Sequence, residues 1–151
     1  MSDTIFDKII RDEIKSYKIW EDEHYLAFLT PFPNTPGASV VIPKTNQGDY
    51  LFDLSEAEIS SLIQAATSVA KLLKSSLQVA RVAMVVEGTG VPYVHVKLYP
   101  LHGKLAERTD VWSSHQEFYP KYVGYLTTVE GPLMSDQELK KIQTKIIKKQ
   151  P

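Results

Sequence analysis

Between Tyr93 and Tyr99 the chain alternates strictly, with Val94, Val96 and Leu98 on one parity and Tyr93, His95, Lys97 and Tyr99 on the other. Side chains of a strand point to opposite faces with period two, so residues 91–103 read as one half-buried β-strand with an aliphatic face. The opposite face sets an imidazole between a phenol and an ammonium. Lysine is depleted from strands, and the aliphatic side already supplies the burial, so this second row reads as a working surface rather than packing.

The rest of the chain supplies partners for that strand. Residues 82–86 form a continuous apolar run short enough for a central strand, and Glu87, Gly88, Thr89 and Gly90 turn it back as an antiparallel hairpin. Gly88, Thr89 and Gly90 either cradle a phosphate through their backbone N–H groups or simply reverse the chain. Upstream, Ile5, Phe6, Ile9, Ile10 and Ile14 predict an N-terminal helix over 3–15. The β-prone stretches 17–20 and 25–29 flank the polar residues 21–23 as a hairpin. Residues 31–37 hold three prolines and a glycine, which makes a stiff loop, and 39–42 resume as a buried strand. Ser55 and Glu58 have capping-box spacing ahead of Ile59, Leu62, Ile63, Ala66, Ala70 and Leu73, the main helix, expected to cover one face of the sheet. Ser135 and Glu138 repeat the signal before a C-terminal helix with Leu139, Ile142 and Ile146 on one side. Its lysines, at 140, 141, 145, 148 and 149, make a solvated face. Between these parts Trp112, Phe118, Tyr119, Tyr122 and Tyr125 show little periodicity.

Composition bounds what such a chain can do. With 151 residues, 43% hydrophobic and 23% charged, it is expected to form a single domain over 1–151. Seventeen basic and eighteen acidic residues leave a net charge of -1, so no broad positive field invites nucleic acid, and an anionic substrate must be held locally. Cysteine is absent, which excludes disulfides and zinc–thiolate sites and gives no hint of an oxidising compartment. No apolar run approaches the roughly 20 residues that span a bilayer, and no basic-then-apolar leader opens the chain. A cytoplasmic protein with no membrane partner is the expectation.

The residues resemble the histidine triad family, nucleotide-binding hydrolases and transferases named for a strand reading His, apolar, His, apolar, His, apolar, apolar. The likeness extends over roughly residues 5–100. It includes Ile5-Phe6 with Lys8-Ile9-Ile10, Trp20-Glu21-Asp22, Leu26-Ala27-Phe28, Thr35-Pro36-Gly37 and Val41-Ile42-Pro43-Lys44. Residues 98–103 and 29–33 are similar to a bacterial branch labelled dinucleoside-polyphosphate hydrolase-like. The resemblance implies an α+β, HIT-like fold: an antiparallel sheet of about five strands, one main helix, N- and C-terminal helices, and a homodimer. It also implies a nucleotide or dinucleotide substrate and no cofactor. In the implied mechanism the middle triad histidine, here His95, attacks an α-phosphorus to form a phosphoramidate that water or another nucleophile resolves. The chemistry suits the residue, because neutral imidazole is a competent nucleophile near its pKa of about 6.5, and a covalent step divides one hard displacement into two.

The departures bear on binding. Tyr93 stands at the first triad position and Lys97 at the third. Lysine can still hold phosphate as a point charge with three donors, whereas a phenol donates one hydrogen bond and is no base at neutral pH. Ala38 replaces a histidine after the Pro-Gly pair, and Thr30 an aspartate that commonly binds ribose hydroxyls. Thr4 and Asp7 fall where some members carry zinc-binding cysteines, so no structural zinc is expected. His102 lies just past the strand, either reaching the same site or occupying a plain loop position. Trp20, Tyr25 and Phe28 either stack a nucleobase or belong to the core. The expected site therefore comprises His95 as nucleophile, Lys97, Gly88, Thr89, Gly90, Tyr93 and His102 around phosphate, and Phe28 and Thr30 at the nucleoside, with no metal. The expected activity is phosphohydrolase or nucleotidyl transfer on dinucleoside polyphosphates or nucleoside phosphoramidates. The alternative is a catalytically weakened or inactive nucleotide-binding module of the same fold.

Overall fold

A computed structural model describes residues 3–103, 118, 120–121 and 132–148. Its five strands are Tyr17–Glu21 (β1), Tyr25–Leu29 (β2), Ser39–Pro43 (β3), Val82–Val85 (β4) and Val96–Pro100 (β5). They form one antiparallel sheet in the order β1-β2-β3-β5-β4. Helix α1 is Ile5–Ile10, α2 is Glu56–Leu77 and α3 is Asp136–Ile147. This is the mixed α+β architecture expected from the sequence. The aromatic stretch 112–125 falls almost wholly outside the described residues, as do His115 and Lys149.

The main helix starts where the capping signal places it. Ser55 Oγ accepts from the Glu58 backbone N–H at 3.3 Å, and Glu58 Oε2 accepts from the Ser55 N–H at 2.8 Å. It ends at Gln78, whose left-handed backbone (φ 55°) closes the last turn. Leu62, Ala66, Val69 and Leu73 are buried along one stripe against Ala27, Val41, Val96 and Leu98 of the sheet. Burying each large aliphatic side chain contributes about 1.5–3 kcal/mol, so this layer supplies much of the driving force for folding. Helix α3 packs on α2 and β1. It is fastened by Ser76 Oγ donating to the Ile146 carbonyl (3.0 Å), Tyr17 OH donating to Asp136 (2.6 Å) and Gln143 donating to the Lys18 carbonyl (2.7 Å).

The opposite face carries a second, smaller core: Phe6 and Ile9 of α1 on Leu26, Phe28, Val40, Ile42 and Tyr93. Covering on both sides explains why every residue of β2 and β3 is buried. Two sequence expectations change here. The N-terminal helix stops at Ile10 instead of running towards residue 15, because Asp12 turns left-handed (φ 57°) and the Glu13 N–H reaches back to the Lys8 carbonyl at 2.9 Å. The last strand begins at Val96, because the Val94 N–H is donated at 2.6 Å to the Gly48 carbonyl of a loop and not to a neighbouring strand. Tyr93 and His95 therefore sit just ahead of β5, and the parity expected to face solvent is buried at both positions, 0% and 3% exposed.

Candidate active site

Two turns fix His95. The Tyr93 N–H closes on the Val91 carbonyl (2.8 Å) within the segment entering β5, and the Tyr93 phenol donates to the Pro43 carbonyl (2.7 Å), which ties that segment to the end of β3. The His95 ring then points its Nδ1 at the Tyr93 carbonyl, 2.6 Å away. A carbonyl can only accept, so Nδ1 carries the proton and Nε2 keeps its lone pair. Phe6 packs edge-on against the imidazole, centroid to centroid 5.3 Å, and closes it from water. Burial pushes the His95 pKa below its ordinary 6.5, and the Lys97 cation adds to that, while the Tyr93 carbonyl and Glu87 oppose it. The imidazole is thus held neutral, in one tautomer and one orientation.

His95 lines a cavity of about 650 Å³ on the α1 side of the sheet. Lys97, Thr89, Gly90, Phe28 and Thr30 share its wall, so the structure brings together six of the residues singled out from the sequence. Lys97 enters from β5, between Val40 of β3 and Val85 of β4 in the registers of the two ladders. Its Nζ lies 3.0 Å from Glu87 Oε1, with the two side chains only 19% and 10% exposed. Thr30 Oγ1 accepts from the Phe32 backbone N–H at 3.3 Å. The remaining wall is largely apolar, built by Ile5, Phe6 and Ile9 of α1 with Ile14, Phe32 and Val91.

Three expected phosphate ligands lie elsewhere. Tyr93 is enclosed in the small core with its hydroxyl spent on Pro43, and burial raises its pKa, so it is a fixed neutral phenol behind the histidine and no part of the cavity wall. Gly88 lies behind the wall as well. At φ 70° it passes so close to Asp49 that an added Cβ would stand 2.6 Å from that carbonyl oxygen, which gives the glycine a steric reason. His102 Nε2 is 2.8 Å from the Pro36 carbonyl on the surface, outside the cavity. Of the three candidate stacking aromatics, Trp20 and Tyr25 belong to the α2-side core, and Phe28 alone reaches the cavity. Thr4 and Asp7 form a capping box at α1, the Thr4 N–H donating to Asp7 Oδ2 at 2.7 Å. No cluster of three or more potential metal ligands occurs among the described residues, and none of their helices is long and apolar enough to cross a membrane.

Sequence reasoning missed Glu87 and the apolar wall. Glu87 was placed in a turn, yet with Val85 opposite Lys97 it lies two residues along, and opposite charges so placed are the signal that would have found it. The wall draws on α1, a loop and a strand end far apart in sequence, which no local pattern reports.

Comparison with known proteins fits this geometry. The sequence profile of the HIT domain matches residues 11–102. The protein named hit of Bacillus subtilis is 29% identical over 120 residues, covering 76% of this chain and 82% of that protein. HIT-like proteins of Mycoplasma genitalium and Borreliella burgdorferi match over shorter stretches, at 38% and 36% identity, covering 51% and 49% of this chain and 54% and 52% of those proteins. Among solved structures, a hypothetical histidine triad nucleotide-binding protein from Sulfolobus tokodaii superposes with a TM-score of 0.71 at 20% identity, over 95% of this chain and 89% of that one. A HIT family hydrolase from Legionella pneumophila gives 0.57 at 22% identity, over 78% and 98%.

Proposed function

From the premise that this chain belongs to the HIT family, we propose that it is a nucleotide phosphohydrolase or nucleotidyl transferase that works at an α-phosphate through His95. One observation carries the reading: a neutral imidazole, its Nδ1–H fixed on a backbone carbonyl, lines a cavity large enough for a nucleotide beside a lysine. That a neighbour of this fold is a HIT family hydrolase agrees with it. His95 Nε2 attacks the α-phosphorus, and the bond to the leaving group breaks, leaving a nucleotidyl phosphoramidate on the ring. Water then attacks the same phosphorus, the P–N bond breaks, and the nucleoside monophosphate departs from a restored imidazole. Lys97 holds the phosphoryl oxygens, Thr89 and Gly90 approach them from the loop, and Phe28 and Thr30 contact the nucleoside. The substrate class is a nucleoside phosphoramidate or a dinucleoside polyphosphate. His95→Ala should abolish turnover of adenosine phosphoramidate and diadenosine tetraphosphate with unfolding temperature and circular dichroism preserved; equal activity in that variant rejects the reading.

A second reading has its own support, because Lys97 is already paired with Glu87 and His95 is the one imidazole lining the cavity among the described residues. A site so altered suits a module that binds a nucleotide without reacting. Tight adenosine monophosphate binding, with no nucleotidyl adduct on His95 in acid-free quenched samples of wild type given substrate, selects it.

A further inference from the structure

We infer that Glu87 is a specificity-determining residue of this cavity, a fixed negative charge that admits a monoanionic phosphoryl group and turns away a chain of phosphates. The inference rests on the nucleotide reading above and narrows its substrate class. It begins with the charges on the wall. Among the described residues these are Lys15, Glu87 and Lys97. Lys15 is committed at the rim, its Nζ 3.2 Å from Asp136 and 5.0 Å from the centre of the Tyr17 ring, on a side chain 70% exposed. Water screens what little field it sends inward. The inner pair is different, because Lys97 and Glu87 face each other at 3.0 Å and are largely withdrawn from water.

Beside the neutral His95, that pair sums to zero charge. A single phosphoryl oxyanion can still bind, since an ammonium has three donors and Glu87 Oε1 occupies one direction of approach. Each further phosphate, however, brings another negative charge past a carboxylate in a place where solvent screening is weak, and like charges there repel more strongly than in water. Sites for polyphosphates supply several cations, a metal ion or many backbone donors to offset this. Among the described residues, the wall beyond the pair joins Ile5, Ile9, Ile14, Phe32 and Val91 to uncharged polar groups such as Ser16, Asn34 and Ser39, and its one further cation is the rim's Lys15. The group leaving the α-phosphorus should therefore be uncharged or cationic, as the amine of a phosphoramidate is, and not the polyphosphate half of a dinucleotide.

The test compares kcat/KM for adenosine phosphoramidate, which carries one negative charge, with that for diadenosine tetraphosphate, which carries one on every bridging phosphate. Wild type should favour the phosphoramidate, and Glu87→Gln, which keeps the shape and removes the charge, should shrink that preference by about tenfold or more. Lys97→Met, which removes the cation that faces Glu87 at 3.0 Å, should widen it. A wild-type preference for the tetraphosphate, or a ratio unmoved by Glu87→Gln, overturns the inference. Should wild type turn over neither compound, the hydrolase reading fails, and the filter is decided by Kd instead. Adenosine monophosphate should then bind more tightly than adenosine triphosphate in metal-free buffer, Glu87→Gln should narrow the gap, and equal gaps in the two proteins overturn the inference.

Discussion

Burial of His95 penalises the form that carries charge, so the imidazole resists protonation. In the proposed mechanism the neutral ring attacks phosphorus, so the acidic limb of kcat/KM should lie below pH 6.5, the ordinary value, and the NMR titration midpoint of the ring should lie there too. A midpoint at or above 6.5 contradicts the desolvated geometry. The same shift sets a stability slope. The folded pKa is lower than the unfolded one, so the unfolded chain binds more protons, and stability is lost as pH falls from 6.5 through the folded value. His95 and Lys97 were legible because the period of a strand is short and the two lie on its polar parity. Tyr93 shares that parity, but its burial depends on Phe6 and Ile42, which no window around residue 93 contains.

Helix α1 has six residues, too few to persist alone in water, and owes its existence to the Thr4–Asp7 box and to Phe6 and Ile9 seated on the sheet. In return it roofs the site. Phe6 meets Phe28, Tyr93 and His95 edge-on at 5.8, 5.6 and 5.3 Å. Phe6→Ala should cost about 3 kcal/mol in chemical denaturation and, by letting water reach the ring, raise the His95 midpoint back towards 6.5. Lost stability with an unmoved midpoint would show that something other than α1 keeps the ring dry. The elements most legible in the sequence were those with their own punctuation: a full capping box started α2, the Ser135 side chain accepting from the Glu138 N–H started α3, and the prolines of 31–37 separated β2 from β3. Both overruns came from patterns that outlast the hydrogen bonding. Ile14 continues the apolar stripe of α1 after Asp12 has broken its backbone, and 93–95 keep the alternation of β5 while Val94 bonds to Gly48.

The sheet divides the molecule into a face that holds the larger core and a face that carries the cavity. Helices α2 and α3 cover the first, and α1 with the cavity occupies the second; β2 and β3, buried throughout, stand between. Such a division predicts a separation of effects that a single shared core would not give. Ile146 is fully buried under α3, with its carbonyl accepting from Ser76. Ile146→Ala should destabilise by about 2–5 kcal/mol, the range for emptying a packed aliphatic site. It should leave the nucleotide Kd and the His95 midpoint where they were, because no residue of α3 touches the cavity among the described residues. Combined with Phe6→Ala, it should add in stability to within about 0.5 kcal/mol, as distant sites without shared partners do. A larger coupling, or a shifted midpoint in Ile146→Ala alone, would mean that packing on the helical face is felt through the sheet at His95, and that the imidazole's environment is set by the whole sandwich and not by α1 and the loop before β5.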